Sequence, residues 1–153
     1  MSKIFRLVFL CPSIVAFVES GFAQAQPIRV GDLTCKAAPR VGFRCVFRSN
    51  ATGQYYSYAG AISRIRLDVG VTGGRLFWGV FAPTSHVGYG VLRGIYVGAS
   101  GDMSFGLGLG ANALVGGSDR TISLQPLSVE GQDGVNLALG VARLTLSVCP
   151  GRN

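Results

Sequence analysis

Apolar and polar residues alternate with a period of two along much of this chain. The clearest stretches are residues 63–71, 103–110 and 135–141. After residue 141 the apolar positions shift by one, which indicates a β-bulge near Gly140. Alternation of this kind is typical of strands that have one buried face. The pattern therefore predicts strands rather than helices.

Shorter apolar segments between these stretches predict further strands. They cover residues 29–35, 43–48, 76–82, 91–97 and 121–129. Clusters of glycine, proline and small polar residues separate the segments, as turns require. About eight strands at this spacing predict an all-β domain, either a small antiparallel barrel or a sandwich.

The start of the chain has the organisation of a secretory signal peptide. Lys3 and Arg6 precede an apolar run, and residues 23–25 form an A-x-A cleavage site. The run is shorter than the roughly 18 residues that a membrane helix needs. We expect cleavage after Ala25, a single domain over residues 26–153, and a periplasmic or secreted mature protein.

Three cysteines follow the predicted cleavage site, and an exported protein meets conditions in which disulfides form. Cys35 and Cys45 lie on neighbouring apolar segments joined by a turn that contains Pro39 and Gly42. The pattern predicts a disulfide between them. Cys149 is then the odd thiol, which is either free, paired with another chain, or a competitor for one of the first two.

The chain has a formal net charge of +7, and the excess lies in the first half of the mature sequence. Residues 26–75 hold eight basic residues against two acidic ones, whereas the two signs balance from residue 76 onward. Most of the eight are arginines, whose planar guanidinium suits bidentate contact with phosphate or carboxylate. Two interpretations stay open: a face that binds an anion, or a solvated face that keeps molecules apart.

Aromatic residues and arginines are interleaved between residues 43 and 66. Aromatic faces beside cations bind single-stranded nucleic acid, but an exported protein meets anionic lipid headgroups and acidic polysaccharides instead, which the same forces attract. Tyrosine and phenylalanine are also good strand formers, which is the structural alternative. The predicted ligand-binding residues are Arg44, Arg48, Tyr55, Tyr56, Arg64 and Arg66.

The glycine-rich segment 106–118 contains G-x-G-x-x-A, the spacing of a dinucleotide-binding fingerprint. That fingerprint needs a helix directly after the glycines. Only residues 111–115 separate the fingerprint glycine Gly110 from the pair Gly116 and Gly117. This stretch is too short for the helix. We expect instead a strand whose glycines permit a bend or the close approach of another backbone.

Catalytic and metal-binding groups are sparse. His86 is the only histidine and lies in a loop, and the sequence has no G-x-S-x-G motif. The acidic residues stand singly in separate turns, so no cluster indicates a metal site. We predict a protein that is not an enzyme and has no cofactor, while two carboxylates that met in the fold would still permit acid–base chemistry.

Four segments together resemble the bacterial family catalogued as domain of unknown function 992. They are residues 30–35 (VGDLTC), 77–83 (FWGVFAP), 106–118 (GLGLGANALVGGS) and 122–132 (ISLQPLSVEGQ). The resemblance implies a small exported bacterial protein and assigns no activity.

These observations predict an exported β-domain that binds an anionic component of the cell envelope, a lipid headgroup or a polysaccharide, or that has a structural role there. Nucleic acid is not an expected partner, and the oligomeric state is not determined by the sequence. Two alternatives remain. One is an integral outer-membrane barrel, whose strands also alternate, and the other is an enzyme with a carboxylate site assembled by the fold.

Overall fold

The computed structural model is an antiparallel β-barrel. It describes residues 26–40, 42–65, 75–99, 109–110, 112–127 and 141–149. Within these residues the strands are β1 (Ile28–Ala38), β2 (Gly42–Ser49), β3 (Tyr55–Ile65), β4 (Arg75–Ala82), β5 (Gly94–Gly98), β6 (Leu114–Gly116), β7 (Ile122–Pro126) and β8 (Val141–Val148). A short 3-10 turn, Ser118–Arg120, precedes β7. The predicted all-β fold is confirmed, and the barrel is the architecture that forms.

The strands close in the order β1-β2-β3-β8-β5-β6-β7-β4, and every neighbouring pair is antiparallel. β4 returns to lie beside β1, and β8 returns to lie beside β5. Each half of the chain is therefore a Greek key, and the two keys join through the β3–β8 and β4–β7 pairs. Closure pairs each of the eight described strands on both sides, so these strands leave no open sheet edge.

The two Greek keys have the same strand order. The first spans residues 28–82 and the second residues 94–148. Their last strands contain the same local pattern, an exposed arginine followed by two buried apolar residues at alternate positions. In β4 these are Arg75, Leu76 and Trp78, and in β8 they are Arg143, Leu144 and Leu146. The keys differ in strand length, since β1, β2 and β3 have 11, 8 and 11 residues whereas β5, β6 and β7 have 5, 3 and 5.

Alternation along each strand fills the barrel with apolar side chains. In β2, for example, Cys45 and Phe47 are buried while Arg44 and Arg48 are exposed. The largest fully buried side chains are Trp78, Tyr58, Tyr96, Phe47, Leu33, Leu76, Leu92, Leu114, Ile122, Leu124, Leu144 and Leu146. Side chains fill the interior of a barrel of this size, and each large apolar one contributes about 2 kcal/mol when it is buried.

The predicted disulfide is present. Cys35 and Cys45 are direct partners in the β1–β2 pair, both are fully buried, and their sulfurs are bonded. The bond closes a hairpin in which the two residues are 10 positions apart. Cys149 follows β8 as a free, half-buried thiol.

Several strand boundaries differ from the sequence prediction. β3 begins at Tyr55, although the alternation was evident only from residue 63 onward. β5 begins at Gly94 because residues 91–92 form a turn. The predicted strands at 103–110 and 135–141 and the bulge near Gly140 lie wholly or largely outside the described residues. The close backbone approach expected of the glycine-rich segment occurs at Gly116, where an added Cβ would overlap the carbonyl oxygen of Ile95.

Candidate functional site

β2 carries two of the predicted site arginines on the outer face of the barrel. Arg44 and Arg48 are both exposed and share one face because they are four residues apart. At about 3.3 Å per residue, their Cα atoms are roughly 13 Å apart. They therefore lie toward opposite ends of the barrel and contact different surroundings.

Arg44 belongs to a row of three basic residues on adjacent strands. Lys36 on β1 is the direct cross-strand partner of Arg44 on β2 and also of Arg75 on β4. All three are exposed. Because neighbouring strands are about 4.8 Å apart, the three backbone positions lie within roughly 10 Å. We call Arg75, Lys36 and Arg44 the cationic row.

The cationic row lies at the end of the barrel where β1, β3, β5 and β7 finish and β2, β4, β6 and β8 begin. Basic residues lie within three positions of this end on five adjacent strands and one turn: Lys36 in β1, Arg40 in the β1–β2 turn, Arg44 in β2, Arg64 in β3, Arg75 in β4 and Arg143 in β8. We call it the cationic end. The backbones of Arg64 and Arg143 are directly paired.

Described acidic residues do not neutralise the cationic row. Asp32 lies four residues before Lys36 on β1 and forms an ion pair with Arg29, with 2.6 Å between Asp32 Oδ1 and Arg29 Nη2. Asp119 lies in the 3-10 turn at the other end of the barrel. Within the part of the chain that the structure describes, the Arg29–Asp32 pair is the one salt bridge. Among the residues that the structure describes, no acidic side chain pairs with the three cations of the row.

Small residues surround the cationic row on its β3 side. Ala59 is the direct partner of Arg44, and Ala61 is the next outward-facing residue on β3. At the hairpin tip, Arg40 adopts a left-handed backbone conformation with φ of 70°, which is uncommon for a residue with a side chain. The neighbours therefore leave the basic side chains open to solvent.

The structure divides the predicted site residues between the two ends. Arg44 and the backbone of Arg64 lie at the cationic end, whereas Arg48 and Tyr55 are direct cross-strand partners toward the opposite end. Tyr56, next to Tyr55, faces the barrel interior instead. Arg66 lies outside the described residues. The set that looks continuous in sequence is thus not one surface.

Tyr56 is held in an aromatic contact at the mouth of the barrel. Its ring stacks on Phe47, with centroids 6.2 Å apart and planes at 16°, and meets Tyr89 at the same centroid distance with a tilt of 52°. The Tyr56 hydroxyl donates to Oε1 of Gln54 at 2.7 Å, and the Tyr89 hydroxyl donates to the Cys149 carbonyl at 3.0 Å. These contacts agree with the structural alternative, in which the tyrosine packs rather than binds.

Two buried tyrosines fix the loop that covers this second end. The Tyr58 hydroxyl accepts a hydrogen bond from the Gly90 backbone N–H at 3.2 Å, and the Tyr96 hydroxyl donates to the Leu92 carbonyl at 2.9 Å. Burial raises the pKa of both Tyr58 and Tyr96 above the ordinary value. Both phenols therefore stay protonated at neutral pH, where they anchor the loop. We call this the closed end.

Residues 14–147 match the family model described as protein of unknown function, DUF992. The chain belongs to this family. No curated protein and no solved structure matches the chain. The resemblance in the four sequence segments is thereby confirmed, and the DUF992 assignment carries no activity with it.

The histidine of this DUF992 domain lies in the loop between β4 and β5. His86 is exposed in its loop, with 3.4 Å between its Nδ1 and Ser85 Oγ. Within the described ranges no group of three or more His, Cys, Asp or Glu side chains could hold a metal ion. The same residues include no helix long and apolar enough to cross a membrane.

Four cations of the cationic end were missed by the sequence-based site prediction: Lys36, Arg40, Arg75 and Arg143. One of them had a signal. If Cys35 faces Cys45 across a hairpin, Lys36 must face Arg44, so the predicted disulfide already implied that contact. Arg75 and Arg143 had no such signal, because their positions depend on pairings between strands far apart in sequence.

Proposed function

We propose that this domain binds a multivalent anion of the cell envelope, one bearing phosphate or carboxylate groups, at its cationic end. The observation that carries the proposal is the position of Lys36 between Arg44 and Arg75 in adjacent strands. Like charges directly opposite each other in a sheet are destabilising. An anion held among the three side chains would remove that repulsion and accept bidentate hydrogen bonds from the arginines.

The fold prepares the row for a ligand. The Cys35–Cys45 bond lies one residue pair away from Lys36 and Arg44, so it fixes the spacing of the two strands beneath them. The backbone beneath Lys36 and Arg44 is therefore in place before a ligand binds, which lowers the entropic cost of binding. A disulfide of this kind also supports the expected export to an oxidising compartment, the periplasm or the exterior.

The arrangement favours anion binding over the other interpretations. Charge retained only for solubility has no reason to gather in neighbouring positions at one end of the barrel. An integral outer-membrane barrel presents apolar residues to lipid, whereas here the apolar side chains face inward and the cationic row faces outward. Of the acidic residues that the structure describes, Asp32 is engaged on the surface by Arg29 and so does not contribute to a carboxylate site.

The test compares two variants of equal net charge. Lys36→Gln, Arg44→Gln and Arg75→Gln together neutralise the row, and the control replaces Arg48, Arg93 and Arg120 in the same way, all nearer the closed end. Retention is measured on immobilised polygalacturonate and on vesicles containing phosphatidylglycerol, over a range of salt. Each cation near an anionic surface contributes about 1 kcal/mol, so the row variant should bind on the order of 100-fold more weakly.

The control should stay within about threefold of the wild-type protein, because exposed charges farther away than a Debye length are screened. Equal losses in the two variants would mean that only net charge matters. Binding that does not weaken with salt would also contradict the proposal.

A further inference from the structure

Tyr89 presents an aromatic ring to solvent at the closed end. It lies in the loop between β4 and β5 and is 58% exposed. Val87 and Leu92, on either side of it in the chain, are buried in the core, so the loop is anchored while its tip projects. A Cβ added at the neighbouring Gly88 would meet no atom of the described residues within 4 Å. This part of the surface therefore leaves room for a ligand beside the ring.

Two contacts fix the exposed ring in place. The Tyr89 hydroxyl donates to the Cys149 carbonyl at 3.0 Å, and the ring meets that of Tyr56 with 6.2 Å between the centroids. The next residue in the chain, Gly90, donates its backbone N–H to the Tyr58 hydroxyl. A tyrosine loses little conformational entropy when it contacts a ligand, and one that its neighbours already hold loses less. Tyr89 is thus an aromatic surface that is positioned before any ligand arrives.

A side-chain amide lies beside the aromatic pair. Oε1 of Gln54 accepts a hydrogen bond from the Tyr56 hydroxyl at 2.7 Å. The backbone of Gln54 is also fixed, because its N–H donates to Thr52 Oγ1 at 3.2 Å and its carbonyl accepts from the Ser49 N–H at 2.9 Å. The amide nitrogen of a glutamine can donate two hydrogen bonds. An aromatic face and an uncharged donor group therefore occur together at the closed end.

We propose that the closed end binds a neutral saccharide, with one sugar ring stacked on Tyr89 and its polar substituents hydrogen-bonded to the Gln54 amide. A β-linked pyranose with equatorial substituents has faces made of C–H groups, which pack against the negative face of an aromatic ring. The positive net charge of the chain disfavours a cationic ligand over these rings. Phenol and amide groups carry no formal charge, which favours a neutral ligand over an anion.

The experiment removes the ring and keeps an apolar side chain. Tyr89→Leu is the test variant, and Tyr89→Phe retains the ring without the hydroxyl bond to Cys149. Tyr55→Leu is the matched control, because Tyr55 is a second exposed tyrosine, 68% exposed on the outer face of β3. Cellohexaose and chitohexaose are titrated against the isotope-labelled protein, and the affinity is taken from the amide NMR shifts. Denaturant midpoints establish that the variants remain folded.

We expect the wild-type protein to bind at least one of the two hexasaccharides. It should bind Tyr89→Leu about tenfold more weakly and Tyr89→Phe less than about threefold more weakly, since the stacking surface is the ring. Tyr55→Leu should bind like the wild-type protein. Failure of both hexasaccharides to bind, or equal losses in Tyr89→Leu and Tyr55→Leu, would overturn the inference.

The site uses no residue of the cationic end, so its test is separate from that of the proposed function. The row variant should bind the hexasaccharide like the wild-type protein, and added salt should leave this binding unchanged. Loss of saccharide binding in the row variant would overturn the inference. A dimer that dissociates in Tyr89→Leu, measured by sedimentation equilibrium, would assign the ring to self-association and overturn it as well.

Discussion

Lys36 and Arg44 face each other directly across β1 and β2, one residue pair away from the disulfide between Cys35 and Cys45. Two like charges are therefore held in neighbouring positions by a covalent bond on the opposite face of the same hairpin. The barrel tolerates the repulsion because its apolar core and the disulfide provide the stability. The interior of the barrel thus provides the cohesion, and the outer face carries the charge.

Reversal of one charge in the row should stabilise the fold and weaken the proposed anion binding. In Lys36→Glu the carboxylate faces both Arg44 and Arg75, so the repulsion becomes attraction and the free energy of unfolding should rise by about 1 kcal/mol. Lys36→Gln should give a smaller increase. Denaturant titration measures the stability, and polyanion retention in the same samples should fall more than tenfold. Destabilisation by the glutamate would show that Lys36 does not experience the repulsion described.

The disulfide should contribute substantially to stability. Replacement of both Cys35 and Cys45 by Ala should lower the free energy of unfolding by about 3 kcal/mol, the loop-closure entropy for a separation of this size. Cys149→Ser is the matched control, since that thiol is free and should change the unfolding free energy little. A reducing agent should reproduce the loss in the wild-type protein and in the control. The double variant should not respond to it.

Two glycines of the β5–β6 region should respond oppositely to alanine. A Cβ at Gly116 would overlap the Ile95 carbonyl oxygen and lie 2.7 Å from Tyr96 Cα, so Gly116→Ala should cost about 3 kcal/mol by overpacking. A Cβ added at Gly98 would have no neighbouring atom within 4 Å. Gly98→Ala should therefore be neutral or stabilise by about 0.5 kcal/mol through the unfolded chain. Thermal unfolding of both variants distinguishes close backbone approach from a general preference for glycine.

Stability should depend on pH in the alkaline range. The folded state raises the pKa of Tyr58 and Tyr96 above the ordinary value near 10, chiefly by desolvation. The folded protein therefore binds their protons more tightly than the unfolded chain does. The stabilisation is fully present below pH 10 and is lost progressively as the pH rises above it.

Tyr96→Phe separates this effect from other alkaline changes. The variant loses the hydrogen bond to the Leu92 carbonyl, which should cost about 1 kcal/mol at neutral pH. Its stability should then decline less steeply above pH 10 than that of the wild-type protein. Parallel decline of the two proteins in alkaline denaturant titrations would assign the pH dependence to other groups.

The fold was largely accessible from sequence because half-buried strands impose a period of two that is visible without structure. The sequence pattern did not predict the part of β3 before residue 63, and the reason is physical. Its inward position 60 is glycine because the Cys45 sulfur would lie 2.8 Å from a Cβ there, and its outward position 55 is an exposed tyrosine. The contrast between apolar inside and polar outside is lost along that strand.

The candidate site was harder to predict from the sequence, because it depends on the register of paired strands and on closure of the barrel rather than on a local sequence pattern. Arg44 and Arg48 are close in sequence and share a face, yet they lie toward opposite ends of the barrel. Lys36 and Arg75 are 39 residues apart in the numbering and directly opposed in the sheet. Only the return of β4 beside β1, a property of the whole Greek key, brings them together.

The most direct test of the account uses the single lysine of residues 26–153, Lys36. The rate at which an amine-reactive reagent acylates its side chain is followed by mass spectrometry, with and without saturating phosphatidylglycerol vesicles or polygalacturonate. Whichever ligand binds should slow the reaction severalfold, and salt or the Arg44→Gln and Arg75→Gln substitutions should restore the rate. An unchanged acylation rate at Lys36 while the ligand is demonstrably bound would contradict binding at the cationic end.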